Sequence, residues 1–395
     1  MSKINSLPEG EFWSLQFLKG VPTLFTKPRK IFALYSDEVC DLLEGVIVSH
    51  EPAVFISALL SKESEEHLIF HAFYELGAFW EGRLEKKTLL GYWMLFDERS
   101  ELCETFFESK ASDIKLEWSV PAFEEYEKAF ERGLHHLKRG DCYQYNLTFP
   151  FKAKGADFIL DDFLIRLWRK KEARGEFASF TQVGAIGLYC NSPECLFDIE
   201  EGEEGQLLQT RPIKGTIRIE DGQDWQEAWQ ELSHCPKNES ELYMITDLLR
   251  NDLNAIEEPC VKVVHKKAPL VVPGLLHSFS ELQIRLSKDV TLFEVMRSLF
   301  PGGSITGAPK KRVMQIIEDL EKEDRGFYCG STVVRSEKTY RASINIRGGV
   351  LDKSEICLTY HAGSGVTFES TLEGEYREMR DKHKSLTKLL TNEIS

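Results

Sequence analysis

Pro301-Gly302-Gly303-Ser304-Ile305-Thr306-Gly307-Ala308-Pro309-Lys310 runs without interruption into a helical pattern with Val313, Ile316, Ile317 and Leu320 on one face. A glycine-rich stretch that enters a helix with proline near the first turn can present free backbone N–H groups to an anion. A flexible helix start would read the same way. Which of the two applies depends on the elements around it.

Working outward, a helix is predicted over 291–299 and the loop is followed by a helix over 309–322. Further strands are predicted over 184–190, 195–200, 206–217, 260–266, 329–335, 340–350 and 355–361, with helices over 239–256 and 373–392. Upstream, Phe123, Tyr126, Phe130, Leu134 and Leu137 recur at helical spacing, and Lys138-Arg139-Gly140 supplies a basic last turn with a glycine stop. Residues 142 to 149 then alternate. Tyr143, Tyr145, Leu147 and Phe149 share one face, and Cys142, Gln144, Asn146 and Thr148 the other. Meander strands interleaved with isolated helices point to a large α+β architecture. Residues 1–112 hold strand-like runs such as Ile31–Tyr35 and Leu89–Phe96 but no chemical motif, so they read as an N-terminal scaffold able to interlock with the rest. Residues 113–395 carry the chemistry.

The chain has 395 residues, 42% of them hydrophobic, which is enough for a large core. A formal net charge of −15 argues against nucleic acid as a partner, because phosphate binding needs a concentrated basic surface. No apolar run approaches the roughly 18 residues needed to span a bilayer. Met1 to Trp13 lack a secretory pattern, so a cytoplasmic protein is expected. Nine cysteines without a Cys-x-x-Cys pair or zinc spacing favour reduced thiols.

Four segments can carry chemistry. The glycine-rich loop is one. On the last helix Glu375, Glu378 and Lys382 project from one side, so two carboxylates could hold a hard cation or simply be solvated. A helix with Glu241 is followed by Asp247, Arg250 and Asp252, which can also be helix-end ion pairs. Finally, the turn Asn191-Ser192-Pro193-Glu194 precedes Lys214 in Arg211-Pro212-Ile213-Lys214-Gly215-Thr216. A lysine there is ordinarily solvent-exposed; desolvated beside a cation, its free amine becomes a nucleophile.

Asp247-Leu248-Leu249-Arg250-Asn251-Asp252, Gly302-Gly303-Ser304-Ile305-Thr306-Gly307-Ala308-Pro309-Lys310, Arg325-Gly326-Phe327-Tyr328-Cys329-Gly330 and the terminal Glu-x-x-Glu helix occur together and in this order. In that combination, over about residues 113 to 392, the chain resembles the chorismate-binding enzyme family. The resemblance implies an α+β fold of two large, mostly antiparallel β-sheets packed face to face with helices outside, and a site for chorismate and Mg²⁺ between the layers. It implies Mg²⁺ held by Glu241, Glu375 and Glu378. A position three before Glu241 that is often a carboxylate in the family is Asn238 here. Tyr328 and Arg347 match positions that grip the enolpyruvyl carboxylate. Gly215, Thr216, His277, Ser304, Gly363, Gly365 and Lys382 match other substrate-lining positions, although His277 alone reads as a packed core histidine.

Family members displace the C4 hydroxyl of chorismate, and Glu194 matches the acid that protonates it. Members that activate water use a lysine on the early strand; the matching position here is Gln144, so the resemblance argues against water as the nucleophile. Direct ammonia attack at C2 gives the anthranilate type of product, in enzymes that typically carry alanine where Lys214 stands. Lys214 implies a second route: its amine adds at C2, then ammonia adds at C4 and expels it, giving 4-amino-4-deoxychorismate. The resemblance implies ammonia from a separate glutamine amidotransferase subunit, since no nucleophile elbow is found here. It leaves two alternatives, the anthranilate-type reaction and a non-catalytic chorismate-binding subunit. Leu42-Leu43-Glu44-Gly45 only partly matches the family's tryptophan-binding signature.

Overall fold

A computed structural model describes residues 2–62, 67–155, 158–219, 224–257, 261–272 and 275–391. Residue 260 of the predicted 260–266 strand and residue 392 of the predicted 373–392 helix lie outside the described residues.

The strands form one long ladder that folds over into two layers. In the first layer Gln144–Lys154 pairs with Cys357–Val366, and the order continues through Gly348–Asp352, Ile186–Ser192 and Phe177–Val183 to Phe12–Leu18. Two long strands, Val21–Tyr35 and Leu89–Leu102, carry the ladder onward. The second layer then runs His67–Ala72, Ser331–Ser336, Thr339–Ser343, Cys195–Gly202, Gly205–Thr210 and Leu275–Leu286. Among the described residues every pairing is antiparallel except Lys3–Ile4 with Leu89–Leu102. The central pair shifts register between Pro28 and Lys30, where proline lacks an N–H and Lys27 has a φ of 55°.

Between the layers, Phe25, Ile31, Ile69, Met94 and Phe96 pack with Val183, Leu188 and Cys190. The buried His71 imidazole spans the gap, with Nε2 3.0 Å from Thr181 Oγ1 and Nδ1 2.9 Å from Thr332 Oγ1. Helices cover the outer faces. Lys310–Leu320 and Leu372–Thr391 bury Val313, Ile316, Met379 and Leu386 with Tyr145, Leu147, Phe151 and Leu358. Pro236–Asn254 and Leu292–Leu299 bury Ile245, Leu249, Val295 and Met296 with Phe197, Ile199, Leu208 and Leu282. The α+β fold with two facing, mostly antiparallel sheets and outer helices is therefore present.

Two predicted strands prove to be pairs. The 206–217 run breaks at Arg211-Pro212 into Gly205–Thr210 and Ile213–Arg218, because Pro212 cannot donate to the ladder. The 340–350 run divides into Thr339–Ser343 and Gly348–Asp352, which lie in different layers, and the chain crosses between them through Ile344–Arg347. The helix Phe123–Arg139 ends at Gly140, with φ 76°, as the glycine stop predicts. No helix among the described residues is long and apolar enough to cross a membrane. The eight described cysteines are free thiols.

Candidate active site

The alternation of strand Gln144–Lys154 sends Tyr145, Leu147 and Phe149 into the helix-covered core, leaving Gln144, Asn146 and Thr148 for the opposite face. Tyr143 precedes the strand and is exposed. Across the ladder, Gly363 stands opposite Thr148 and Gly365 opposite Asn146. A Cβ on Gly365 would sit 2.3 Å from Gln144 Nε2, so a side chain there would displace that amide. Gln144 is buried and its Oε1 has no hydrogen-bond partner.

The segment Pro301–Ala308 is buried throughout and is not an open anion cradle. Its glycines serve close packing. A Cβ on Gly303 would lie 2.4 Å from Leu248 Cδ2, and one on Gly307 2.0 Å from the Gln144 carbonyl oxygen. Gly307–Ala308 pairs with Gln144 and Tyr145, and Asn146 Nδ2 donates to the Ser304 carbonyl at 2.9 Å, so Ser304 is fixed beside Gln144.

Glu194 sits in the turn between Ile186–Ser192 and Cys195–Gly202, as the Asn-Ser-Pro-Glu signal predicts. Its N–H donates to Ser192 Oγ at 3.0 Å and its carbonyl accepts from Ile344 N at 3.0 Å. Burial raises its carboxyl pKa above the ordinary range, while the Ser304 hydroxyl and the charges of Lys214, Arg347 and Lys382 act in the other direction. These five side chains, from well-separated parts of the sequence, thus share one neighbourhood.

Lys214 lies in strand Ile213–Arg218, where the register shifts between Ile213 and Thr216 and Gly215 takes φ 85°. Its Nζ is 3.7 Å from Glu241 Oε2. A Cβ on Gly215 would meet the Asn238 side chain at 3.1 Å, so Asn238 packs against this bulge. Thr216 Oγ1 is 2.7 Å from Nδ1 of the buried His277. Burial, and then Arg347, lower the His277 pKa and favour a neutral ring.

Glu375 and Glu378 open the helix Leu372–Thr391. Glu375 is buried; Oε1 accepts from Ser370 Oγ at 2.6 Å and Oε2 has no partner. Glu378 is half-exposed and 2.9 Å from Lys382, whose Nζ also donates to the Gly363 carbonyl at 2.7 Å. The three nominated carboxylates are oxygen donors suited to a hard cation, and the orphaned Glu375 oxygen fits one. Glu241 and Glu378 are instead paired with lysines, and among the described residues no three His, Cys, Asp or Glu side chains converge as a metal site.

Tyr328 is buried and stacked on His361 with ring centroids 5.3 Å apart, and burial holds its phenol well above the ordinary range. Arg347 occupies the crossing between layers with φ 53°, an uncommon backbone for arginine. Asp247 and Arg250 form the expected surface pair, whereas Asp252 reaches Lys310 at 2.5 Å and ties two of the sequence motifs together. Sequence reasoning passed over Asn146, although it shares the polar face with Gln144, and gave Arg325 no role, although it opens the Arg-Gly-Phe-Tyr motif.

The pattern of the chorismate binding enzymes matches residues 60–388. Aminodeoxychorismate synthase component 1 of Salmonella typhimurium is 34% identical over 271 residues, 68% of this chain and 58% of that protein. Anthranilate synthase component 1 of Aquifex aeolicus is 29% identical over 270 residues, 68% of this chain and 53% of that protein. The chain thus spans little more than half the length of these relatives. The crystal structure of anthranilate synthase component I from Streptococcus pneumoniae TIGR4 superposes with a TM-score of 0.77 at 21% identity, covering 97% of this chain and 94% of that one.

Proposed function

The chain belongs to the chorismate binding enzyme family, and from that premise we propose that it is the chorismate-aminating component of an aminodeoxychorismate synthase. The observation that carries this reading is Lys214: a largely buried amine, 3.7 Å from Glu241 and within electrostatic reach of the buried acid Glu194. Similarity to aminodeoxychorismate synthase component 1 supports it.

In this reading Glu194 donates a proton to the C4 hydroxyl of chorismate, which departs as water, while the free amine of Lys214 bonds to C2 and the ring double bonds shift. The adduct nitrogen gives up its extra proton to the Glu194 carboxylate. Ammonia then bonds to C4, the double bonds shift back, and the C2–nitrogen bond breaks as Glu194 protonates the lysine nitrogen; the new C4 ammonium returns one proton to Glu194. Chorismate and ammonia become 4-amino-4-deoxychorismate and water. Gln144, Ser304, Tyr328, Arg347, Gly363 and Gly365 surround the substrate, and Gln144 offers water no base. Glu241, Glu375 and Glu378 would hold Mg²⁺, which supplies positive charge for the ring carboxylate. A separate glutamine amidotransferase subunit provides the ammonia.

The test is to incubate the chain with chorismate, Mg²⁺ and ammonium salt and identify the product by chromatography and mass. 4-Amino-4-deoxychorismate is expected. Anthranilate or isochorismate as the main product would overturn the assignment.

A further inference from the structure

We propose that Arg325 is a positioning residue: clamped by Glu321, its guanidinium sets the spacing between the segments that carry Gln144, Ser304 and Tyr328. The proposal rests on the chorismate reading insofar as those three residues line the substrate.

Arg325 is almost fully enclosed, with a side chain 2% exposed. Its Nε donates to Glu321 Oε2 at 2.8 Å and Nη2 to Glu321 Oε1 at 2.7 Å, a bidentate pair that fixes the guanidinium plane. The remaining donors are aimed at two backbone carbonyls. Nη1 donates to Ile305 O at 2.9 Å, one residue beyond Ser304, and Nη2 to Asn146 O at 2.9 Å, two residues beyond Gln144. Glu321 Oε1 reaches back to the same strand, accepting from Thr148 N at 2.9 Å and Thr148 Oγ1 at 3.1 Å.

The backbone of Arg325 completes the arrangement. Its carbonyl accepts from Tyr328 N at 3.1 Å, which shapes the turn presenting the phenol. Its N–H donates to Glu75 Oε1 at 2.8 Å, and the Tyr74 ring centroid lies 4.6 Å from the guanidinium carbon. The helix Glu75–Trp80, upstream of every chemical motif, therefore anchors the clamp.

A buried ion pair is a poor source of stability, because desolvating both charges offsets most of their attraction. Geometry is what this pair supplies. Only a planar fork can hold one carboxylate side-on and still reach two carbonyls on different elements; a lysine offers one point charge. Displacements of about 1 Å at a reacting centre can cost up to about a hundredfold in rate.

The experiment uses the full chain carrying Arg325→Lys, Glu321→Gln or Thr148→Val, with folding checked by circular dichroism and cooperative melting. In the folded variants the KM for chorismate should rise, about tenfold or more for the first two and a few-fold for Thr148→Val, with a smaller loss in kcat. A purely structural role would lower the melting temperature and leave KM unchanged, and that result overturns the proposal. If Arg325→Lys does not fold, the milder Glu321→Gln and Thr148→Val decide by the same criterion. Should the unmutated chain not use chorismate, the functional reading fails separately. Crystal structures then judge the clamp: unchanged spacing of Gln144, Ser304 and Tyr328 in the folded variants overturns it, and altered spacing sustains it.

Discussion

Lys214 Nζ lies 3.7 Å from Glu241 Oε2, with the two side chains only 17% and 16% exposed. A lysine so enclosed is not the solvated strand residue that its local sequence suggests. Lys214→Ala should abolish amination at C4 and divert residual turnover to anthranilate, read by chromatography of the products. Aminodeoxychorismate formed at the unmutated rate would show that no bond to this lysine is needed.

Glu194 is predicted to work in its protonated form. Burial raises its pKa, so the competent form persists to higher pH than for an exposed carboxyl, and turnover should fall as pH rises through that raised value. Glu194→Gln should lower kcat by about 10²- to 10⁴-fold and remove this descending limb from the pH–rate profile. A variant that keeps the limb would assign it to another group.

The proposed Mg²⁺ requirement can be tested both by activity and by binding. Chelation by EDTA should stop turnover, and added Mg²⁺ should restore it. Glu375→Gln, which replaces the carboxylate with the orphaned buried oxygen, should weaken Mg²⁺ binding about tenfold or more by calorimetry. Equal affinity in the variant would remove Glu375 from the ligand set.

Glu75 gives a pH signature in stability. Burial pushes its carboxyl up to about 7 from an ordinary 4.5, despite the N–H groups of Arg325 and Gly326 that it accepts. Between these values the folded chain binds more protons at this site than the unfolded chain, so its contribution is full below about 4.5 and is lost as pH rises through about 7. Glu75→Gln keeps an acceptor without the charge. Relative to the unmutated protein, its melting temperature should improve progressively from pH 5 to pH 8, and a pH-independent difference would contradict this account.

Much of this was legible in the sequence, for local reasons. Alternation placed Gln144 and Tyr145 on opposite faces, Gly140 ended its helix, and the Asn-Ser-Pro-Glu turn located Glu194. The two misjudged strands share a different cause. Arg211-Pro212 broke a run whose hydrophobic pattern continued, and Ile344–Arg347 changes layer, which depends on partners far away in the chain. The site followed the same division. The family resemblance nominated Lys214, Glu194 and the three carboxylates, where residue types alone left solvated and ion-paired readings open, but only three-dimensional proximity reveals that Glu241 faces Lys214, that Glu378 faces Lys382 and that Arg325 links three segments.

The long strands Val21–Tyr35 and Leu89–Leu102 belong to both layers, so the sheets cannot swing apart in the manner of hinged lobes without bending a shared pair of ribs. For the proposed reaction, chorismate would then reach its site through motion in turns and helix ends at the rim and not through separation of the two sheets.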